Sequence, residues 1–251
     1  MPGSRCSAAP EYPPGAGPVL GIDTAGRSGS VAIASAGKVE ILSPLSPGRT
    51  YAEGLAPEIL RMLEILSLAP GDLSGVAVSA GPGSFTGLRI AIGTALGIIA
   101  ALGVPLVGVE TMRAWSLALG PRAQGLCPVL DAGKGLVFAA FFGWEDGRLV
   151  RRSDDLMLSP AALCGLLEGP TWIWGDGAER FGEDIRRLGK GRERLIPRED
   201  WPAAAGEVAL CGGRRIRRGE VSAPAGFRPR YVREAEAEVQ WRLRYGGDRG
   251  R

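Results

Sequence analysis

The stretch "SAGPGSFTGLRIAIGTALGIIAAL", residues 79–102, joins a β-rich run to a long apolar run through three glycines and a proline. Ser84 stands where a helix N-cap would be, and the run behind it reads as a helix to Leu102. A strand–glycine loop–helix junction offers unpaired N–H groups at a positive dipole end, which is how phosphate-binding loops are built. On that reading Gly83, Ser84, Thr86 and Arg89 form an anion-binding loop. Walker-type binding also needs a Lys after the glycines, and none is present. The other reading gives Gly81, Gly83 and Gly87 to a tight turn. It gives Ala91, Gly93, Ala95, Gly97, Ala100 and Ala101 to a helix that a neighbour can approach inside the usual ~8–10 Å. Without the lysine, the second reading is preferred, and the loop is a scaffold.

Before this stretch come "VLGID" (19–23), "SVAIAS" (30–35) and "KVEILS" (38–43), short β-rich runs, the last two linked by Ala36-Gly37. An amphipathic helix is expected from about Ala52 to Leu66, with Leu55, Ile59, Met62, Leu63 and Leu66 on one stripe. The twenty uncharged residues from Ile90 to Val109 have the length of a membrane span. Gly103, Val104 and Pro105 divide them into a buried helix and a short strand, Leu106 to Val109, so a soluble, cytoplasmic protein without a membrane partner is expected. The second half repeats the order. Strands are expected at 126–132, 136–142 and 148–152, a helix from Ser159 to about Leu167, a strand at 171–174 and a helix from about Ala178 to Leu188.

Each half ends its first strand on an aspartate among small residues, Asp23-Thr24-Ala25 and Asp131-Ala132-Gly133. A duplicated β-β-β-α-β-α unit of this kind describes an α/β protein with the two-lobed actin-like (ASKHA) fold. Each lobe is ribonuclease-H-like, and the cleft lies at the strand ends. The expected boundaries are a disordered Pro/Gly/Ala-rich extension at 1–17, an N-terminal lobe at 18–111 and a C-terminal lobe at 112–224. A final segment, 225–251, is expected to pack back on the first lobe and fray at its end.

The formal charge of +3 is unevenly placed. Residues 1–175 carry 12 basic and 14 acidic side chains, and residues 176–251 carry 18 and 13. That asymmetry hints at a polyanion near the C-terminal part, against the plainer reading of an Arg-rich solvated surface. Cys6, Cys127, Cys164 and Cys211 form no C-x-x-C pair and read as reduced thiols. There is no histidine, which removes His-based acid/base chemistry, Ser–His and Cys–His nucleophiles and His-ligated metals. Actin-like ATPases organise Mg²⁺ through carboxylates at the places of Asp23 and Asp131, but the first loop lacks the usual Gly-Thr, and "GDGA" (175–178) is a weak adenosine loop. No catalytic residue, metal or cofactor is expected.

"GIDTAGRSGSVAI" (21–33), the opening stretch, "VLDAGKGLVFAAFF" (129–142), "WGDGA" (174–178) and "PRYVREAEAE" (229–238) together resemble, in order, the landmarks of the bacterial TsaB family. The resemblance runs from about Val19 to Glu238. It implies the dimerisation subunit of the machinery that makes N6-threonylcarbamoyladenosine in tRNA. The partner it implies is TsaD, which transfers threonylcarbamoyl from threonylcarbamoyl-adenylate to the adenosine adjoining the anticodon. TsaE, an ATPase, is the further partner, tRNA is met indirectly, and a homodimer forms when the chain is alone. The family pairs through N-lobe helices packed as a four-helix bundle, which points to Leu55, Ile59, Met62, Ala91, Ala95 and Gly97 as the interface.

The chain departs from the family at Tyr51-Ala52-Glu53, where a His-Ser pair is usual, and at Gly133, Leu136 and Phe138, where Arg, Glu and Tyr are usual. TsaD also carries an N-H-x-x-G-H metal motif. On the shared strand it falls on Glu110 to Trp115, with Thr111 and Trp115 at the ligand positions. Neither side chain replaces an imidazole. The alternative function is an actin-fold ATPase or phosphotransferase in its own right; a metallopeptidase fails on the missing histidines.

Overall fold

Strand β1 (Val19–Asp23) is buried at all five positions, and a strand with no polar face needs cover on both sides. In the computed structural model, which describes residues 17–45, 50–122, 125–230 and 232, both sides are covered. β1 is the centre of a five-stranded sheet with β2 (Ser30–Ser35), β3 (Lys38–Pro44), β4 (Gly75–Ser79) and β5 (Leu106–Val109), in the order β3-β2-β1-β4-β5. β1 pairs antiparallel with β2 and parallel with β4. Successive residues point to opposite faces. Leu20, Ile22, Val31, Ile33, Val76 and Val78 share a core with helices α1 (Tyr51–Ile65) and α2 (Phe85–Leu102). On the other face Val19, Ala77, Val107 and Val109 meet Ala114 of α3 (Thr111–Leu119).

The second sheet has the same order, with β6 (Gly125–Gly133) in the place of β1. It is completed by β7 (Leu136–Ala139), a hairpin of β8 (Phe142–Glu145) and β9 (Arg148–Arg151), β10 (Leu156–Leu158), β11 (Thr171–Trp174) and β12 (Glu193–Leu195). Its central path runs β10-β7-β6-β11-β12, and β8 joins β6 through Leu126 and Phe142. Helices α4 (Pro160–Gly165), α5 (Asp176–Arg180) and α6 (Gly182–Leu188) cover one face, closing over Cys127, Val129, Val137 and Ile173. Met112 and Trp115 of α3 pack on the other face with Leu126, Leu130 and Phe142. α3 therefore lies between the two sheets.

The last helix, α7 (Ala205–Arg217), returns to the first sheet, where Val208 and Ile216 join Val19, Ala77 and Val107. The chain reaches the first lobe at Ala205, twenty residues before the boundary expected at 225. The approach is very close: a Cβ at Gly21 would lie 2.3 Å from the Ala205 carbonyl oxygen, and one at Gly212 would lie 2.4 Å from Ala77 Cβ. Beyond α7 the chain runs beside β5, where Ser222 N donates to Leu106 O (2.8 Å), and on to the end of β4, where Arg230 N donates to Ala80 O (2.6 Å). Residues 1–16 and 233–251, with the expected extension and most of the final segment, lie outside the described residues.

Other differences are local. The run 136–142, read as one strand, is β7 and β8 with a break at 140–141. The run 148–152, read as the third strand of the lobe, is β9 of the hairpin, and β10 takes the third place. The helix read at 178–188 is two, α5 and α6.

Candidate functional site

In a two-lobed fold the site belongs where the strand ends of both lobes meet, and here the first strand of each lobe delivers an aspartate. Asp23 ends β1 and is wholly buried. Its Oδ2 accepts from Trp115 Nε1 (2.9 Å) and its Oδ1 from Ala25 N (3.3 Å). Burial pushes its carboxyl above the ordinary value, with the hydrogen bonds opposing. The Trp115 ring is wedged between the lobes. A Cβ at Gly26 would lie 2.7 Å from it, and one at Gly175 would lie 3.1 Å from it. The space between the two strand-end loops is occupied by indole.

A second carboxylate ties the lobes. Asp176, at the start of α5, accepts from Arg27 N (3.1 Å) in the first lobe and from Asp131 N (2.9 Å) on β6. Burial raises this carboxyl too. Asp131 itself takes the guanidinium of Arg180 at 2.6 Å. Tyr51, opening α1, donates its hydroxyl to Gly26 O (2.6 Å), and burial followed by the nearby charges of Asp23 and Asp176 pushes its phenol up. Both strand-end aspartates thus lie at one junction, each already bonded to protein.

The glycine loop serves the same junction. Gly81 N donates to Thr111 Oγ1 and Thr111 N to Gly81 O, both at 3.0 Å. Ser84 N donates to Ala25 O (2.7 Å), the Ser84 side chain caps Gly87 N (3.2 Å), and Thr24 Oγ1 donates to Gly87 O (2.7 Å). A Cβ at Gly87 would meet Thr24 O at 2.0 Å and one at Gly83 would meet Ala25 O at 2.6 Å. The glycines are there because the 23–25 loop presses against them.

Of the four loop residues, Gly83 and Ser84 line a cavity of about 410 Å³ between the lobes, with Phe85, Asp131, Phe138 and Arg230 among its other walls. Thr86 and Arg89 lie outside it on the exposed side of α2, Arg89 stacked 3.8 Å over the Phe85 ring. Thr111 and Trp115, the residues expected to match the related metal motif, hold Gly81 and Asp23. Among the described residues no group of three His, Cys, Asp or Glu side chains is arranged to hold a metal.

The expected interface needs correcting. Leu55, Ile59, Met62, Ala91 and Ala95 are buried in the first lobe's own core, because the apolar stripe of an amphipathic helix marks the side facing its own sheet. Gly97 alone of the six is exposed. The outward face carries Leu60 (59% exposed) and Ile65 (55%) on α1, and Phe85 (53%), Gly93 and Gly97 on α2. A Cβ at either glycine meets nothing within 4 Å. Sequence reading passed over Arg27 and Arg180 at the lobe junction, named Tyr51 only as a departure from the family, and noted Asp176 only inside "GDGA". No motif marks such residues, since they act through backbone bonds and charge.

A family profile described as "TsaD: tRNA N6-adenosine threonylcarbamoyltransferase" matches residues 42–171, just over half of the chain. The tRNA threonylcarbamoyladenosine biosynthesis protein TsaB of Bacillus subtilis is 25% identical over 229 residues, 89% of this chain and 97% of that protein. The protein of the same name from Escherichia coli is 36% identical over 115 residues, 45% of this chain and 48% of that protein. Among solved structures, YeaZ from Pseudomonas aeruginosa superposes with a TM-score of 0.70 at 22% identity, covering 86% of this chain and 100% of that one. The fold is the two-lobed actin-like fold.

Proposed function

The chain belongs to the tRNA N6-adenosine threonylcarbamoyltransferase family and matches the TsaB of Bacillus subtilis nearly end to end, and on that premise we propose that it is a non-catalytic subunit which binds TsaD. In this reading TsaD supplies the metal and the reacting groups. It moves threonylcarbamoyl from threonylcarbamoyl-adenylate to N6 of the adenosine adjoining the anticodon of tRNA. This chain supplies a rigid partner surface in the cytoplasm, and TsaE, an ATPase, joins the pair.

The observation that carries the reading is the indole set between the two strand-end loops. Trp115 stands between Gly26 and Gly175 and holds Asp23, so the carboxylate at an ATPase's magnesium position is spent on an indole N–H. What the first lobe leaves open is the α1/α2 face. Gly93 and Gly97 there let another helix approach backbone to backbone, and Leu60, Ile65 and Phe85 provide apolar area at the rim. The same face serves a homodimer when TsaD is absent.

Reconstitution tests this directly. The chain alone is expected to show no ATP turnover that Asp23→Ala abolishes, and to support modification of tRNA only when TsaD is added. Modification by TsaD at full rate without this chain would overturn the proposal.

A further inference from the structure

Past α7 the chain crosses from one lobe towards the other. Pro224 and Pro229 carry no N–H, so a stretch built on them does not join the sheet as a regular strand. It is pinned instead. At β5, Ser222 N donates to Leu106 O (2.8 Å) and Ser222 Oγ accepts from Gly108 N (3.2 Å). Phe227 packs on the same strand, its ring 2.7 Å from where a Gly108 Cβ would stand, and joins the first lobe's core. Further on, Arg230 N donates to Ala80 O (2.6 Å).

The Arg230 side chain then reaches a pair of acids. Its Nη1 donates to Glu110 at the start of α3 (2.9 Å), and its Nη2 lies 3.8 Å from Oδ2 of Asp155, just before β10. Arg151 holds both acids too. On Asp155 it uses Oδ1 alone, through Nη1 and Nη2 (3.0 Å each), and it reaches Glu110 through Nη2 (3.2 Å). Asp155 Oδ2 is left buried with no hydrogen bond among the described residues. A buried carboxylate oxygen is costly to leave without a donor. The Arg230 guanidinium faces it, about 1 Å beyond the ~2.7–2.9 Å of a charge-assisted hydrogen bond. The Glu110 side chain is 40% exposed and the Asp155 side chain 5%, so one draws the guanidinium outward and the other inward. Arg230 and Val232 also wall the cavity between the lobes, together with Ser84, Phe85 and Phe138.

We propose that residues 222–230 are a strap with two seats for Arg230. The outer seat is Glu110, as here. In the inner seat Nη2 bonds Asp155 Oδ2, and the wall of the cavity is drawn in. Neither lobe has to rearrange, because the movement is about 1 Å at the tip of a long side chain while Ser222 and Phe227 stay anchored. Glu110 holds the guanidinium short of the inner seat, so one ion pair sets the mouth of the cavity beside Phe85. The strap belongs to this chain alone, whatever the first lobe binds.

The test is amide hydrogen exchange of the full chain, read by mass spectrometry on peptic fragments across 222–230, with fragments from β1 as the reference for global opening. Glu110→Gln removes the outer seat and leaves α3 its start, since the Glu110 side chain makes no capping bond. Arg230 then seats on Asp155, and exchange across 222–230 becomes about tenfold slower relative to β1. Asp155→Asn removes the inner seat, and exchange becomes faster. A static cluster of four charges gives another pattern, in which losing either acid loosens Arg230. Faster exchange in both variants, or unchanged exchange in Glu110→Gln, would overturn the inference. Should Asp155→Asn fail to fold, Glu110→Gln decides alone, because only a second seat lets the loss of a partner slow the exchange.

Discussion

Trp115 and Asp23 make one buried unit, and its parts separate experimentally. Trp115→Phe keeps most of the ring between Gly26 and Gly175 but removes the N–H, leaving the buried carboxylate with Ala25 N and the Ser79 hydroxyl beside it. The expected loss is about 1–3 kcal/mol in denaturant unfolding. The carboxylate also leaves a pH signature. Its folded pKa is raised by burial, so between about 3.9, the unfolded value, and the folded value the native state holds the proton more often. Stability from this group is therefore lost as pH rises through that window. Asp23→Asn removes the effect. The stability of wild type minus variant should fall as pH rises from about 4 towards neutrality, and a flat difference would show that the group does not titrate on folding.

At α2 the two sides predict opposite outcomes for the same change. Gly97→Leu projects into open space, so folding should keep its melting temperature while TsaD capture falls by about one to two decades, from ~1–3 kcal/mol of overpacking at the contact. Ala95→Leu pushes the same bulk into the lobe's own core and should cost about 1–3 kcal/mol of stability. If Gly97→Leu still captures TsaD at wild-type affinity, the partner docks elsewhere. The sequence made α2 legible because its glycines, cap and uncharged length are local signals. The face it offers was misread, since an apolar stripe looks the same whether its cover is the protein's own sheet or a partner. α7 was passed over because Gly206, Gly212 and Gly213 lower helix propensity, and the close contacts of Gly206 with Val39 and of Gly212 with Ala77 exist only in the tertiary structure. α3 escaped for a related reason: it is only nine residues long and wedged between two sheets, with Arg113 its one charged side chain.

The two lobes are held by more than the indole. Arg151 bonds Asp155 (3.0 Å) and Glu110 (3.2 Å), and Arg230 reaches the same Glu110 (2.9 Å). This network joins the start of α3, the end of the β8–β9 hairpin and the chain beyond α7. Asp155 is nearly enclosed, its side chain only 5% exposed. Arg151→Ala strips its main partner and leaves Arg230, 3.8 Å away, as the remaining cation; losing a hydrogen bond to a charged group costs about 1.5–3 kcal/mol. That loss should appear as a lower melting temperature, with both lobes unfolding in one transition. A variant as stable as the wild type would mean that the lobes do not depend on the network.

The position of α7 also bears on how the chain is made. The first sheet lacks its second layer until the ribosome has passed Arg217, long after β5 has emerged. At ~5–20 residues per second that is a wait of about 5–20 s, during which Val19, Ala77 and Val107 have no α7 to cover them in the nascent chain. The second lobe is translated in between. The lobe made first is thus the last to be completed, and its uncovered β-face is exposed to premature association just when a chaperone would meet it.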